Sequence, residues 1–140
     1  MGVRVMQGMS LSISHLLTRL VEQVLREGIV TDVTEKIRAE NNLRNEIALD
    51  ILKDWSTKSH DGVNYVWAEV PDGWTGSALL AACEAEGVLV AVADKFTLPN
   101  TVAPNAVRLT LSTAHDHDQL KEGLRTVDRI MRSPPMDLLT

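Results

Sequence analysis

Ala103-Pro104-Asn105-Ala106-Val107-Arg108-Leu109-Thr110-Leu111-Ser112 is the stretch that decides how this sequence folds. A proline and an asparagine open it, and the run that follows is aliphatic or β-branched except for one arginine, the mark of a strand over 106–111. Side chains alternate across a strand, so Val107, Leu109 and Leu111 share one face while Ala106, Arg108 and Thr110 share the other. An apolar face of that kind needs a layer of helices to cover it. Downstream, Asp116 or Asp118 can cap a final helix carrying Leu120, Leu124, Val127, Ile130 and Met131 on one side. Upstream, the apolar run 88–92 is short enough for a buried strand, 75–86 reads as a helix with Gly87 at its C-terminal cap, and 63–70 reads as a strand closed by Pro71-Asp72-Gly73.

Two helices precede this set. Ile13, Leu16, Leu17, Leu20, Val21, Val24 and Leu25 recur at helical spacing over 12–27, and Gly28 supplies the stop. Asp32 and Glu35 have the form of a capping box, and Ile37, Arg44, Ile47, Ala48, Ile51, Leu52 and Trp55 extend the second helix to about residue 56. The mixed charges of 38–46 read as a solvated face supported by helical ion pairs. The expected fold is therefore α+β: two N-terminal helices, the second long, then a β-α-β-β-α two-layer sandwich. The expected organisation is a single domain over 1–140, with 1–57 a helical connecting segment, 58–132 the α/β part and 133–140 a frayed tail after Pro134-Pro135.

With 44% apolar and 24% charged residues in 140, the chain has the balance of one folded core. Its net charge of −5, spread without a basic run, argues against nucleic-acid binding by this segment. The single cysteine, Cys83, cannot form an internal disulfide and falls in an apolar helical pattern, so it reads as a small buried hydrophobe. No apolar stretch reaches the roughly 18 residues that span a bilayer, the first residues lack signal-peptide order, and Met6 stands where myristoylation wants Ser or Thr. No membrane contact and a cytoplasmic location are the default expectations.

Arg108 is the position that carries chemistry. On the open face of a sheet, its guanidinium either makes a surface ion pair with an acid such as Glu69 or stands as a planar fork for a carboxylate ligand. His115 and His117, flanked by Asp116 and Asp118, read as helix-start polarity rather than a metal site, because residues two apart on a helix do not face each other. Neither His15 nor His60 has a partner that the sequence reveals. Trp55, Trp67 and Trp74 read as core and interface anchors.

These residues also resemble a known family. The stretch 103–112, followed by 115–124 with its Gln119-Leu120-x-x-Gly123-Leu124 ending, is similar to the closing strand and helix of class I/II aminotransferases. Leu79-Leu80-Ala81-Ala82-Cys83-Glu84-Ala85-Glu86-Gly87-Val88-Leu89-Val90 resembles the helix and "Gly-Val-x-Val" passage of the same small domain. His60-Asp61-Gly62-Val63-Asn64-Tyr65-Val66-Trp67 and Pro71-Asp72-Gly73-Trp74 resemble the family's entry strand and "Pro-x-Gly-Trp" turn, commonest in the MocR/GntR-fused branch. The resemblance covers nearly the whole chain. It implies a fold-type-I domain in which Arg108 binds the α-carboxylate of an amino acid or 2-oxo acid, pyridoxal phosphate as cofactor of the parent protein, and a homodimer.

Pyridoxal chemistry needs a Schiff-base lysine, an acid at the pyridine nitrogen and phosphate donors, which in this family lie upstream of the matched region. Lys36, Lys53, Lys58, Lys95 and Lys121 have none of the family's Ser-x-x-Lys setting. Where the family shows a Pro-Gly pair and then an aromatic, this chain has Ala93-Asp94-Lys95-Phe96, with Phe96 in the aromatic's place, Lys95 an ordinary loop lysine and Asp94 its local charge partner. No catalytic residue is therefore expected here, and a large cofactor-binding domain, in the same or another chain, is the expected partner. The alternatives are a stand-alone amino-acid-binding or dimerisation module and an inactive truncated remnant.

Overall fold

The computed structural model describes residues 15–135. The expected helix start at residue 12, with Ile13, and the tail beyond 135 lie outside the described residues. The chain divides into two compact units, Met1–Ile37 and Arg38–Thr140.

In the first unit, helix α1 runs over 15–26 and ends where Gly28 takes a positive φ of 71°. Helix α2, Ile29–Ile51, starts at once. Asp32 is therefore not the N-cap that its spacing with Glu35 suggested: its N–H already donates to the Gly28 carbonyl at 3.2 Å, inside the first turn. Its carboxylate still suits the positive end of the helix dipole. Along these helices Leu16, Leu17, Leu20, Val21, Leu25, Ile29, Val33 and Ile37 are all exposed.

The second unit holds the rest of α2, strands β1 (Thr57–Lys58), β2 (Tyr65–Glu69), β3 (Ala91–Val92) and β4 (Ala106–Thr110), and helices α3 (Gly76–Ala85) and α4 (His117–Arg132). The α+β reading holds, with one strand more than the sequence suggested. The expected tail of the second helix ends early, at Ile51, because Ser56 and Thr57 turn to pair with β2. Trp55 marks the bend, donating its indole N–H to Asp128 at 2.7 Å. Burial alone would raise the Asp128 carboxyl, but hydrogen bonds from Arg132 and Trp55 hold it below its ordinary range.

All pairings in the sheet are antiparallel, in the order β1-β2-β4-β3. Strands β2 and β3 thus run parallel, joined through α3, with β4 inserted between them. Val66, Ala68, Val107, Leu109 and Leu111 face Ala48, Leu52, Leu79, Cys83, Leu124 and Val127 in one core, the face assignment that alternation predicts for β4. Helix α3 begins at the N-cap Thr75, whose hydroxyl accepts from Ala78 N–H. It ends in a Schellman motif: Gly87 at φ 78°, with Gly87 N–H on the Glu84 carbonyl at 3.0 Å and Val88 N–H on that of Cys83 at 2.9 Å. Because Val88 is still tied to the helix, Leu89 stays 79% exposed and β3 pairs only at Ala91 and Val92, not over the whole of 88–92. Asp116 rather than Asp118 caps α4, accepting from Gln119 N–H at 2.8 Å.

Burial pushes the Cys83 thiol up to about 11. Since the thiolate is the reactive form, Cys83 should not label with a disulfide exchange reagent at about pH 8 while the chain is folded. Its labelling rate should match the unfolding rate; fast labelling in native buffer would contradict its burial.

Candidate functional site

Arg108 lies in the middle of the sheet, opposite Trp67 of β2 on one side and Ala91 of β3 on the other. Its guanidinium carbon stands 4.1 Å from the centroid of the Phe96 ring and 5.4 Å from that of Tyr65. Phe96 comes from the 3-10 turn Ala93–Phe96 and meets Trp67 edge-on at 5.6 Å, at an interplanar angle of 89°. Ring stacking of this kind orients a guanidinium without using its donors.

The ion pair with Glu69 does not form, because the register sets Glu69 opposite Ala106, not Arg108. Among the described residues no side chain pairs with Arg108, and its Nε is buried without a hydrogen-bond partner. An orphaned donor of this sort is uncommon in folded chains, where a buried N–H is ordinarily met by a protein group or an ordered water. On the same sheet face, a cavity of about 260 Å³ has Lys58, Trp67, Glu69, Phe96, Pro104 and Ala106 in its lining, while Arg108 itself lines a separate cavity of about 420 Å³ with Ala91, Leu109 and Thr110.

The helix stretch that its charges marked as a solvated face carries the expected helical ion pair, Glu40–Arg44, and leaves Arg38, Ala39, Leu43 and Glu46 exposed, but it is also a docking face. Asn41 donates to the Gly62 carbonyl at 2.8 Å, Asn42 exchanges hydrogen bonds with Gly62 N–H and Asp61, and Arg38 pairs with Asp61. Asn45, only 6% exposed, donates to the Val63 carbonyl at 2.5 Å and accepts from the Ser59 hydroxyl at 2.6 Å. Gly62 makes this turn possible with a φ of 77°. The available signal was the cluster of asparagines in a helix interior, where their propensity is poor unless tertiary partners use their amides.

His117 also belongs here. Its Nε2 lies 2.8 Å from Glu40, which accepts in addition from Arg44 Nε at 2.7 Å. The neighbouring His115 is exposed and uses its backbone N–H on Gln119. Among the described residues no three His, Cys, Asp or Glu side chains gather to hold a metal, and no helix is long and apolar enough to cross a membrane. Lys95 and Asp94 are both exposed, and no ion pair joins them.

Hydrogen bonds from Arg44 first, and then from His117, hold the Glu40 carboxyl below its ordinary 4.5. A folded-state value lower than the unfolded one contributes stability above the unfolded value and loses it as pH falls through the folded one. Glu40→Gln should therefore flatten the loss of stability below about pH 4.5, read as the urea midpoint across that range; an unchanged acid limb would remove Glu40 from the account.

No protein-family model matches the sequence, and no curated protein matches it. Solved structures share its fold. The α-aminoadipate aminotransferase of Thermus thermophilus, solved with N-(5'-phosphopyridoxyl)-L-leucine, is 24% identical at a TM-score of 0.66 over 81% of this chain and 30% of that one. The multiple substrate aminotransferase of Thermococcus profundus is 18% identical at 0.66, over 79% of this chain and 28% of its own. The kynurenine aminotransferase of Pyrococcus horikoshii is 22% identical at 0.65, again over 79% and 28%. This chain thus spans about three-tenths of the length of the aminotransferases whose fold it shares.

Proposed function

We propose that this chain is the C-terminal part of a pyridoxal-phosphate-dependent aminotransferase, or of an aminotransferase-like regulator of the MocR type, in which Arg108 holds the carboxylate of an amino acid or 2-oxo acid. The observation that carries the reading is the guanidinium stacked on Phe96 with no partner of its own. A planar guanidinium fork can place two parallel N–H donors on the two carboxylate oxygens. Fixing that end of the substrate sets the orientation of the rest, which is the chain's contribution to the chemistry.

The residues described here do not fit the cofactor itself. The cavity on this sheet face presents one lysine, the exposed Lys58 on the edge strand, and no glycine among its lining residues. Cofactor, Schiff-base lysine and phosphate donors are assigned to a large domain in the same or another chain. The bare apolar stripe of α1 and the start of α2 supports a covering partner, either that domain or a second copy in a homo-oligomer. In this reading 58–132 is the small domain, 1–57 the segment that leads to it, and the location is cytoplasmic.

The test is a titration of the chain with pyruvate, followed by the amide signals of β4, in the wild type and in Arg108→Ala. Loss of binding in the variant is expected; equal binding would remove Arg108 from the site.

A further inference from the structure

The Arg44 side chain is only 11% exposed. Besides its bond to Glu40, its terminal nitrogen donates to two carbonyl oxygens, of Leu111 at 2.7 Å and of Ala114 at 3.0 Å. Those carbonyls bracket the turn by which the chain leaves β4, and Leu111 is three residues beyond Arg108. From the other side, Leu111 N–H donates to the Asn64 carbonyl at 2.7 Å, just before β2. The exit of β4 is therefore clamped between β2 and α2.

Arg108 has no side-chain hydrogen bond to fix it. Its aim is set by two rings and by the backbone of β4, so whatever holds that backbone holds the guanidinium. A bidentate pair tolerates little misplacement: an error of about 1 Å is enough to lose most of the benefit of orientation.

We infer that Arg44 is a positioning residue for Arg108, acting through the β4 exit, with Glu40 and His117 fixing the orientation of the Arg44 guanidinium. This rests on Arg108 as the carboxylate ligand and goes beyond it, since it places control of the site on helix α2. Lysine cannot replace Arg44 fully, because an ammonium is a single point of charge and cannot span Glu40 and two carbonyls with the same fixed fork.

The test uses the full chain and the Arg108 Nε–Hε NMR signal. In the ligand-free protein, the exchange of that proton with solvent reports how well Arg108 is held; titration with pyruvate reports what the holding does. Arg44→Met is expected to speed the exchange and to weaken pyruvate binding about tenfold. Arg44→Lys should fall between it and the wild type. In an Arg108→Ala background, Arg44→Met should cost no further affinity, the signature of two residues that act as one unit. A merely structural Arg44 would lower the melting temperature and leave the Arg108 signal and the affinity unmoved, which would overturn the inference. Should Arg44→Met fail to fold, Arg44→Lys and Glu40→Gln are read by the same two measurements. If Arg108→Ala binds pyruvate as the wild type does, the carboxylate reading fails separately, and the ligand-free exchange still decides whether Arg44 holds Arg108.

Discussion

Arg108→Ala should weaken 2-oxo acid binding by about ten- to a hundredfold, the effect of losing a charge-assisted bidentate pair of about 1.5–3 kcal/mol. The same change should leave the fold nearly as stable as before. Arg108 has no ion pair to break, and its removal deletes a buried donor that has no acceptor. What the fold loses is the stacking on Phe96 and Tyr65, worth about 0.5–1 kcal/mol at a partly open site. Binding and stability thus separate, which they would not for a residue whose role is structural. Arg108→Lys sharpens the test, since it keeps the charge and discards the fork. If lysine restores full affinity, the site recognises charge alone and the bidentate account is wrong. A melting temperature that falls sharply for Arg108→Ala would show that the arginine serves the sheet and not a ligand.

How far the sequence could be read depended on where the interactions lie along the chain. Arg108 was legible because strand alternation is local: Val107, Leu109 and Leu111 announce their own face, and Arg108 is what remains on the other. Gly28 and Gly87 were legible because the positive φ at a helix end is a property of a single residue. Phe96 was marked only by the resemblance, as the residue in the place of the family's aromatic, and nothing local says that its ring will lie over Arg108. Asp32 misled because a capping box is a statement about isolated helices, and here Gly28 had already turned one helix into the next. Strand β1 was missed because Thr57 and Lys58 are a strand only by virtue of pairing with Trp67 and Ala68.

The face of α2 was legible only in part, as the ion pair Glu40–Arg44, for the same physical reason on a larger scale. Charged and amide side chains on a helix look solvated whenever their partners are distant in sequence, and Arg44 finds its acceptors 67 and 70 residues away. Asn41, Asn42 and Asn45 find theirs in the turn around Gly62. A polar docking face of this kind contributes less by burial than an apolar one, but it is directional: each hydrogen bond fixes a position as well as a distance. That property is what a helix needs if it is to set the exit of the strand that bears Arg108.

Leu79→Ala should cost about 2–5 kcal/mol of stability, the range for a fully buried leucine whose removal leaves a cavity. Leu79 has no exposed surface and belongs to the core shared by α3, α4 and the covered face of the sheet. Against a total of about 5–15 kcal/mol for a typical domain, the loss is large enough to move the urea midpoint well outside error. Leu80, its neighbour on the same helix, is only half-buried, so Leu80→Ala should cost clearly less. The contrast matters more than either value, because it tests the assignment of faces: α3 covers the side of the sheet that carries Val107 and Leu109, and leaves Arg108 on the open one. Equal costs at the two positions would mean that α3 packs on a different face. In that case Arg108 would lose the open surface that the proposed carboxylate site requires.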